Sequence, residues 1–298
     1  KAVTNTGGTS LAPVGFDKRL LEDIRKALKI EPLFANFNMP LADYRLPFNA
    51  AGVSAEWQTA GGTPADQTVV FKSVLYTAKK LMSVVGFNYE DEDDSVVAML
   101  PTIRQELAYG MAELLETTLI SGAAAGNDFR GFSHYAAGAS HETTITGGIA
   151  ADFTPAAVAA ARSTMGRYGL DPSKIMLLIN LQDYYRLVDD TLVQTVQNFG
   201  PQATLLKGQL ATIYGIAIIP TESIATPALV GDLRACLVRP DRYKIGYRKG
   251  MDVEAWRDPR NQTKSLTASM RMDFNPLVPL TAGELAAGET FAVNINVA

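Results

Sequence analysis

The stretch AEWQTAGGTPADQTVVFKSVLYTAKKL, residues 55–81, contains strand-forming residues on both sides of one strong turn signal, AGGTP at 60–64. We interpret the chain from Pro40 to Val85 as a long β-hairpin. Its second strand begins near Gln67 and runs through Tyr76. A two-stranded hairpin is only marginally stable alone in water, so this one needs another surface to lie on. That need points to a neighbouring subunit.

The hairpin offers side chains that such a neighbour could bury. Burial contributes roughly 25 cal/mol per Å² of apolar surface, so an arm and a hairpin laid across neighbouring copies can hold a particle together without a cofactor. The alternative, in which these side chains pack only within their own subunit, remains open. The predicted inter-subunit contacts are Trp57, Gly61, Gly62, Val70, Phe71, Lys72 and Tyr76.

The chain before the hairpin has two parts. Residues 1–15 are rich in Gly, Thr and Ala without periodicity, which is typical of an extended arm, and no apolar stretch of signal-peptide length favours secretion. From Asp17 to Ile30, apolar residues recur at helical spacing, which predicts an amphipathic helix. Its basic face is either solvated or turned toward an internal polyanion. The basic residues are Lys18, Arg19, Arg25, Lys26 and Lys29.

A long helix is predicted after the hairpin, from Val96 to Leu119. The acidic run at 90–94 suits a helix start, and Pro101 suits a first turn. The run lacks the alternating ligand spacing and central Gly of a calcium loop, so the helix start is favoured over a cation site. Gly122 is the expected C-terminal cap. The helix should be roughly 30 Å long, with one apolar stripe: Ile103, Leu107, Met111, Leu114 and Thr118.

The rest of the chain alternates helices with strands and then becomes β-rich. A Gly, Ala and Ser-rich link at 121–151 is followed by a helix from Thr154 to Gly169 and a short helix around Tyr184. Further strands are predicted at 174–180, at 213–219 with Pro220 ending it, and near 235–238, 243–247, 253–256, 266–274 and 291–297.

Composition excludes several classes of protein. The chain has 298 residues, 47% hydrophobic and 19% charged, which indicates a folded protein of one or two domains and not a disordered one. No apolar run approaches the ~20 residues of a membrane-spanning helix, so we expect no membrane partner. A net charge of −4 disfavours a dedicated DNA reader. Cys236 is the only cysteine, so no internal disulfide or zinc cluster can form.

Catalytic motifs are not visible in the sequence. There is no G-x-S-x-G motif, no His-Glu zinc motif and no phosphate-binding loop. His134 and His141, the only two histidines, fall in a Gly and Ala-rich segment typical of a surface loop. We therefore predict that the protein is not an enzyme and that it has no cofactor and no metal.

Several stretches together resemble the major capsid proteins of tailed bacteriophages, the family with the Hong Kong 97 fold. Each match is weak alone, but their order and spacing cover most of the chain. Residues 55–81 resemble the family's extended loop and returning strand. LISG at 119–122 with GNDFRGF at 126–132 resembles its exit from a long spine helix. IYGIAIIP at 213–220, GD at 231–232 and YKIGYRKG at 243–250 resemble the return from its axial to its peripheral domain.

The resemblance implies an α+β Hong Kong 97-like subunit that self-assembles into pentamers and hexamers of an icosahedral shell. The virion shell would assemble in the host cytoplasm and enclose double-stranded DNA, bound non-specifically. Portal, scaffold or maturation protease, and decoration proteins are further expected partners. An encapsulin-like nanocompartment shell is the alternative. The expected parts are an N-terminal arm at 1–40, an extended loop at 41–85, a peripheral domain at 86–150 and 234–298, and an axial domain at 151–233.

Some relatives in that family join subunits through an isopeptide bond between a loop Lys and a peripheral-domain Asn, assisted by a Glu. Lys72 lies on the hairpin and Asn261 lies in the stretch RDPRN at 257–261, but no Glu follows in the predicted strand at 266–274. We therefore predict no covalent crosslink.

Overall fold

The computed structural model describes residues 30–51, 53, 55–63, 65–88, 90, 99–136, 141–149, 151–190, 210–278 and 290–298. The predicted amphipathic helix lies outside them except for Ile30, so all five of its basic residues are outside, as is most of the acidic run. Within the described residues, helices and strands mix as the α+β prediction requires. The strands are β1 (Ala35–Asn38), β2 (Asp43–Ala51), β3 (Val70–Thr77), β4 (Lys79–Asn88), β5 (Glu142–Ile145), β6 (Met176–Asn180), β7 (Thr212–Ile213), β8 (Ile216–Thr221), β9 (Leu233–Val238), β10 (Tyr243–Asp258), β11 (Thr263–Pro276) and β12 (Ala292–Val297). The helices are α1 (Met99–Ser121), α2 (Phe132–Tyr135), α3 (Pro155–Thr164) and α4 (Leu181–Val188).

A four-stranded sheet in the order β1-β10-β11-β4 forms one half of the fold. The 23-residue helix α1, about 35 Å long at ~1.5 Å per residue, packs on it and buries Leu107, Met111, Leu115 and Leu119. The predicted stripe is wrong at Leu114, which is 52% exposed. A straight helix has 3.6 residues per turn, so the buried face continues from Met111 to Leu115 and Leu119 and not to Leu114.

A six-stranded sheet in the order β5-β12-β9-β6-β8-β7 forms the other half. Helices α3 and α4 cover one face with an apolar cluster that includes Val158 and Leu187. Leu178 and Cys236 on the opposite face belong to the cluster that also contains α1. Strand β6 is therefore buried on both faces, which explains why its sequence is a continuous apolar run.

Two strand predictions are corrected by the backbone. The predicted strand at 213–219 is two strands, because Tyr214 (φ 50°) and Gly215 (φ 78°) turn the chain between β7 and β8. Pro220 lies within β8 and does not end it. The predicted strands at 243–247 and 253–256 are both part of β10, which continues through irregularities in its register with β11.

The predicted segment boundaries do not coincide with the sheets. Strand β1, expected in the arm, pairs with β10, and β4 pairs with β11 although the hairpin was expected to extend to Val85. Strands β5 and β12, expected in the peripheral segment, join the sheet that contains β6 and β8. Both faces of β12 are covered, so Asn294 and Asn296 are buried between the apolar residues of that strand.

The exit from α1 follows the predicted pattern of two glycines around a short loop. Gly131 donates its N–H to the carbonyl oxygen of Gly122 at 2.8 Å. A Cβ at Gly131 would lie 2.6 Å from the carbonyl oxygen of Ile120, so no larger residue fits without movement of the backbone. The Asp128 carboxylate accepts hydrogen bonds from the N–H groups of Ala123 and Gly126 at 3.1 and 3.2 Å, which closes the loop.

Candidate assembly surface

The hairpin of β2 and β3 is a separate two-stranded sheet beside the two larger ones. Its strands are antiparallel, with Asp43 opposite Thr77 at the base. Beyond the last pair, Ala51 with Val70, the described residues of the tip form no strand. The second strand therefore begins at 70, later than predicted. Gly62 donates its N–H to the carbonyl oxygen of Thr59 at 2.9 Å, in the turn where Gly61 has φ 85°.

Most of the predicted contact residues lie on the surface of this hairpin. Trp57 at the tip is 104% exposed, and Phe71 on β3 is 73% exposed. Val70 and Lys72 are also exposed. Large apolar side chains gathered on a protruding element are typical of a protein interaction surface.

Tyr76 is the exception, and its predicted contact with a neighbour is corrected. It is fully buried in its own subunit in a small cluster with Met39 and Val74. Its ring lies edge-on to Phe37, with centroids 5.1 Å apart, and its hydroxyl donates to the carbonyl oxygen of Asn275 at 3.2 Å. For Tyr76 the alternative holds, in which the side chain packs within its own subunit. Tyr76 fixes the base of the hairpin to the four-stranded sheet.

Asp273 is a second anchor of the hairpin base. Its carboxylate accepts hydrogen bonds from the N–H of Thr77 at 2.8 Å, from the N–H of Phe274 at 2.9 Å and from the side-chain amide of Asn275 at 2.8 Å. Burial raises the pKa of Asp273 to about 6, although these donors and the nearby Lys79 favour the charged form. Asp273 is not among the residues predicted from the sequence. The available signal was a lone Asp between Met272 and Phe274 in a predicted strand.

Asp273 should make the stability of the subunit depend on pH. Its pKa is raised from 3.8 to about 6 on folding, so the stabilisation from the protonated form is present below pH 4 and lost as pH rises through 6. The free energy of unfolding of the native protein, relative to Asp273→Asn, should therefore fall by up to about 3 kcal/mol between pH 4 and 7. Urea unfolding of unassembled subunits across that range measures the difference.

The matched control is Glu254→Gln, which neutralises an exposed carboxylate on β10 of the same sheet. Its difference from the native protein should stay within about 0.5 kcal/mol over the same pH range, as for surface substitutions in general. A flat difference for Asp273→Asn would contradict the prediction.

The described residues offer little for catalysis or metal binding. Among them, no group of three or more His, Cys, Asp or Glu side chains could hold a metal ion. Cys236 is buried, and burial raises the pKa of its thiol well above the usual range. Asn261 donates its side-chain amide to Asp258 at 2.8 Å in the turn between β10 and β11. The absence of a crosslink between Lys72 and Asn261 stays a prediction.

The described part of the chain contains no helix both long and apolar enough to span a lipid bilayer.

A long helix on a four-stranded sheet, a second mixed sheet and a protruding hairpin define the Hong Kong 97-like class of capsid folds. Solved capsid structures share it. The capsid of cyanophage P-SCSP1u matches with a TM-score of 0.72 at 17% identity, over 99% of this chain and 97% of that one. A Microbacterium phage Oxtober96 structure matches with a TM-score of 0.76 at 13% identity, over 97% and 96%. The Phage capsid family model matches residues 8–280, so the chain belongs to the phage capsid family.

The chain is also similar to the major capsid protein of Escherichia phage T5. The two are 24% identical in an alignment 269 positions long, which covers 87% of this chain and 58% of the T5 protein. The chain thus spans little more than half the length of this curated relative.

Proposed function

We propose that the protein is the major capsid protein of a tailed phage, a structural subunit and not an enzyme. The observation that carries the proposal is the protruding hairpin with Trp57 and Phe71 on its surface, in a chain with the fold of capsid subunits. Copies assemble into pentamers and hexamers of an icosahedral shell. Each hairpin lies on an adjacent copy.

The energetics suit a closed shell. Burying one large apolar side chain contributes roughly 1.5–3 kcal/mol, which is too little to hold two subunits alone once the cost of association is included. Each copy gives one hairpin and receives another, so the contacts become stable together when the shell closes. No cofactor is required.

The shell encloses double-stranded DNA in the virion after assembly in the host cytoplasm. Because the chain has a net charge of −4, its contact with DNA depends on local basic patches, such as the predicted basic face at 18–29. Portal, scaffold or maturation protease, and decoration proteins complete the particle. The encapsulin-like alternative is less favoured, because the matching family model is that of phage capsids.

Negative-stain electron microscopy of the purified chain tests the proposal. We expect closed angular particles of megadalton mass, or rings of five and six subunits, with matching peaks in size-exclusion chromatography. A compact monomer at concentrations where shells should form would contradict it.

A further inference from the structure

A cavity of about 340 Å³ lies between α1 and the beginning of β4. Its walls are mainly apolar and include Leu81, Leu115, Phe129 and Met272. Leu114, the helix residue that the apolar stripe leaves exposed, also lines it. Cavities that hold organic groups have volumes of about 300–1,000 Å³, so this one has room for one or two large side chains.

The cavity lies beside an uncovered sheet edge. Strand β4 is the last strand of its sheet, and among the described residues no strand pairs with its outer edge. Met82, which lines the cavity, and Val84 are each 52% exposed along this strand. A ten-residue edge strand with exposed apolar residues is normally covered by another segment, because it otherwise promotes aggregation.

The hairpin tip of the same copy is badly placed to cover this edge. Strand β3 passes directly through Ala78 into β4, so the cavity lies near the base of the hairpin. From Thr77 to Val70 the strand rises about 23 Å at ~3.3 Å per residue, and the tip begins only beyond that point. The tip of a second copy has no such restriction.

The tip and the cavity are complementary in charge and polarity. Trp57 follows Glu56, and Asp66 lies on the other side of the turn. Lys79 and Lys80 line the cavity next to its apolar walls. Asp128, the one acidic residue among the described residues of the lining, has both carboxylate oxygens engaged by N–H groups of its own loop. An indole next to a carboxylate in the tip is thus complementary to an apolar cavity next to two ammonium groups.

We infer that the cavity between α1 and β4 is the receptor for the hairpin tip of a second copy, with the Trp57 indole inside it and Glu56 paired with Lys80. The inference rests on the proposed function, because it requires copies to meet in a shell. It adds the site on the neighbouring copy at which the hairpin tip binds, and the residues that fix the relative position of the two copies.

Disulfide formation between engineered cysteines tests whether Glu56 of one copy lies close to Lys80 of another. Cys236, the only native cysteine, is fully buried. The disulfides that form on mild oxidation therefore involve only the engineered surface cysteines. Chains carrying Glu56→Cys and chains carrying Lys80→Cys are assembled together and oxidised mildly. With equal amounts of the two chains mixed at random, each engineered cysteine meets its counterpart in about half of the contacts, so we expect up to about half of the chains to appear as disulfide-linked dimers on a denaturing gel and to return to monomers with reductant. The doubly substituted chain should give a ladder of higher oligomers.

The matched control pairs Glu56→Cys with Tyr185→Cys. Tyr185 is 62% exposed on α4, against the other sheet, and should give no ladder. If shells form but the Glu56 and Lys80 cysteines crosslink no more than this control, the inference is overturned and the proposed function stands. An internal disulfide within single chains overturns it as well. If the native chain forms no shells, both fail together.

Charge reversal provides a second measurement that needs no oxidation. Glu56→Lys and Lys80→Glu should each raise the critical concentration for assembly several-fold at low salt, since each places like charges at the contact. The combined variant should return to within about twofold of the native value. If the two effects instead multiply in the combined variant, Glu56 and Lys80 do not meet.

Discussion

Replacing the tip of the hairpin by a two-residue turn should abolish shell formation and leave the subunit folded. In this variant residues 50–70 are replaced by Asn-Gly, which joins Asn49 to Phe71, two residues that face each other in the register. Asn-Gly favours the type I′ turn that connects antiparallel strands tightly. The described tip residues are exposed, so their removal should shift the thermal midpoint by only a few degrees. Electron microscopy and sedimentation should show only unassembled subunits.

The control for this truncation replaces Leu229 with Ala. Leu229 is 69% exposed, but it lies in the turn before β9 and not on the hairpin, so this variant should assemble normally. Trp57→Ala is the smallest version of the truncation and should weaken assembly through the loss of one indole per contact. If the truncated chain forms closed shells at the native concentration, the hairpin does not hold copies together.

The local elements of the fold could be predicted because their signals lie close together in the sequence. The turn at 60–64 has its own backbone chemistry, and α1 has a long apolar stripe. Strand β6 was also visible, as a short apolar run between turn signals. In each case the deciding residues lie within about twenty positions of one another.

Sheet membership could not be predicted, because it depends on partners far apart in the chain. Strand β12 pairs with β5 and β9, about 150 and 60 residues away, and no local pattern specifies this register. The burial of Tyr76 has the same origin. Phe71 and Tyr76 are both aromatic residues of one strand, but only Tyr76 lies where Phe37 and Asn275 can cover it.

The candidate surface was therefore predicted in part. Sequence patterning indicated a hairpin with exposed apolar residues, and the structure exposes Trp57, Val70 and Phe71. The cavity between α1 and β4 was not foreseen, since it depends on the packing of a helix against an edge strand. Asp273 was missed for the same reason, because its hydrogen-bond donors include Thr77, which is distant in sequence.

A buried ion pair in the six-stranded half was also missed, although a lone Arg in the apolar strand LRACLV at 233–238 was its signal. Arg234 and Asp183 are both fully buried. The guanidinium is bonded to both carboxylate oxygens, with Nε 2.9 Å from Oδ2, and it also donates to the carbonyl oxygen of Ala151 at 2.8 Å. Asn180 donates to the same carboxylate at 2.6 Å. The pair thus ties α4 to β9 and to the loop before α3.

Asp183→Ala should be strongly destabilising, because it leaves the Arg234 guanidinium buried without its counter-charge. Removing one partner of a buried ion pair costs about 3–5 kcal/mol. In a chain of this size that corresponds to a fall of roughly 5–8 °C in the thermal midpoint. Thermal unfolding of unassembled subunits measures the change, and a loss below about 1 kcal/mol would contradict the argument.

The double variant Asp183→Ala with Arg234→Met separates two contributions to the loss of stability: the cost of leaving the Arg234 charge buried without a partner, and every other consequence of the substitution. Replacing both partners of a buried pair by apolar residues is often close to neutral, whereas removing one partner is not. The double variant should therefore be more stable than Asp183→Ala alone, although it carries one more substitution. If the second substitution instead adds to the loss, the pair contributes mainly through packing around Arg234, whose guanidinium lies 5.7 Å from the ring centroid of Phe153.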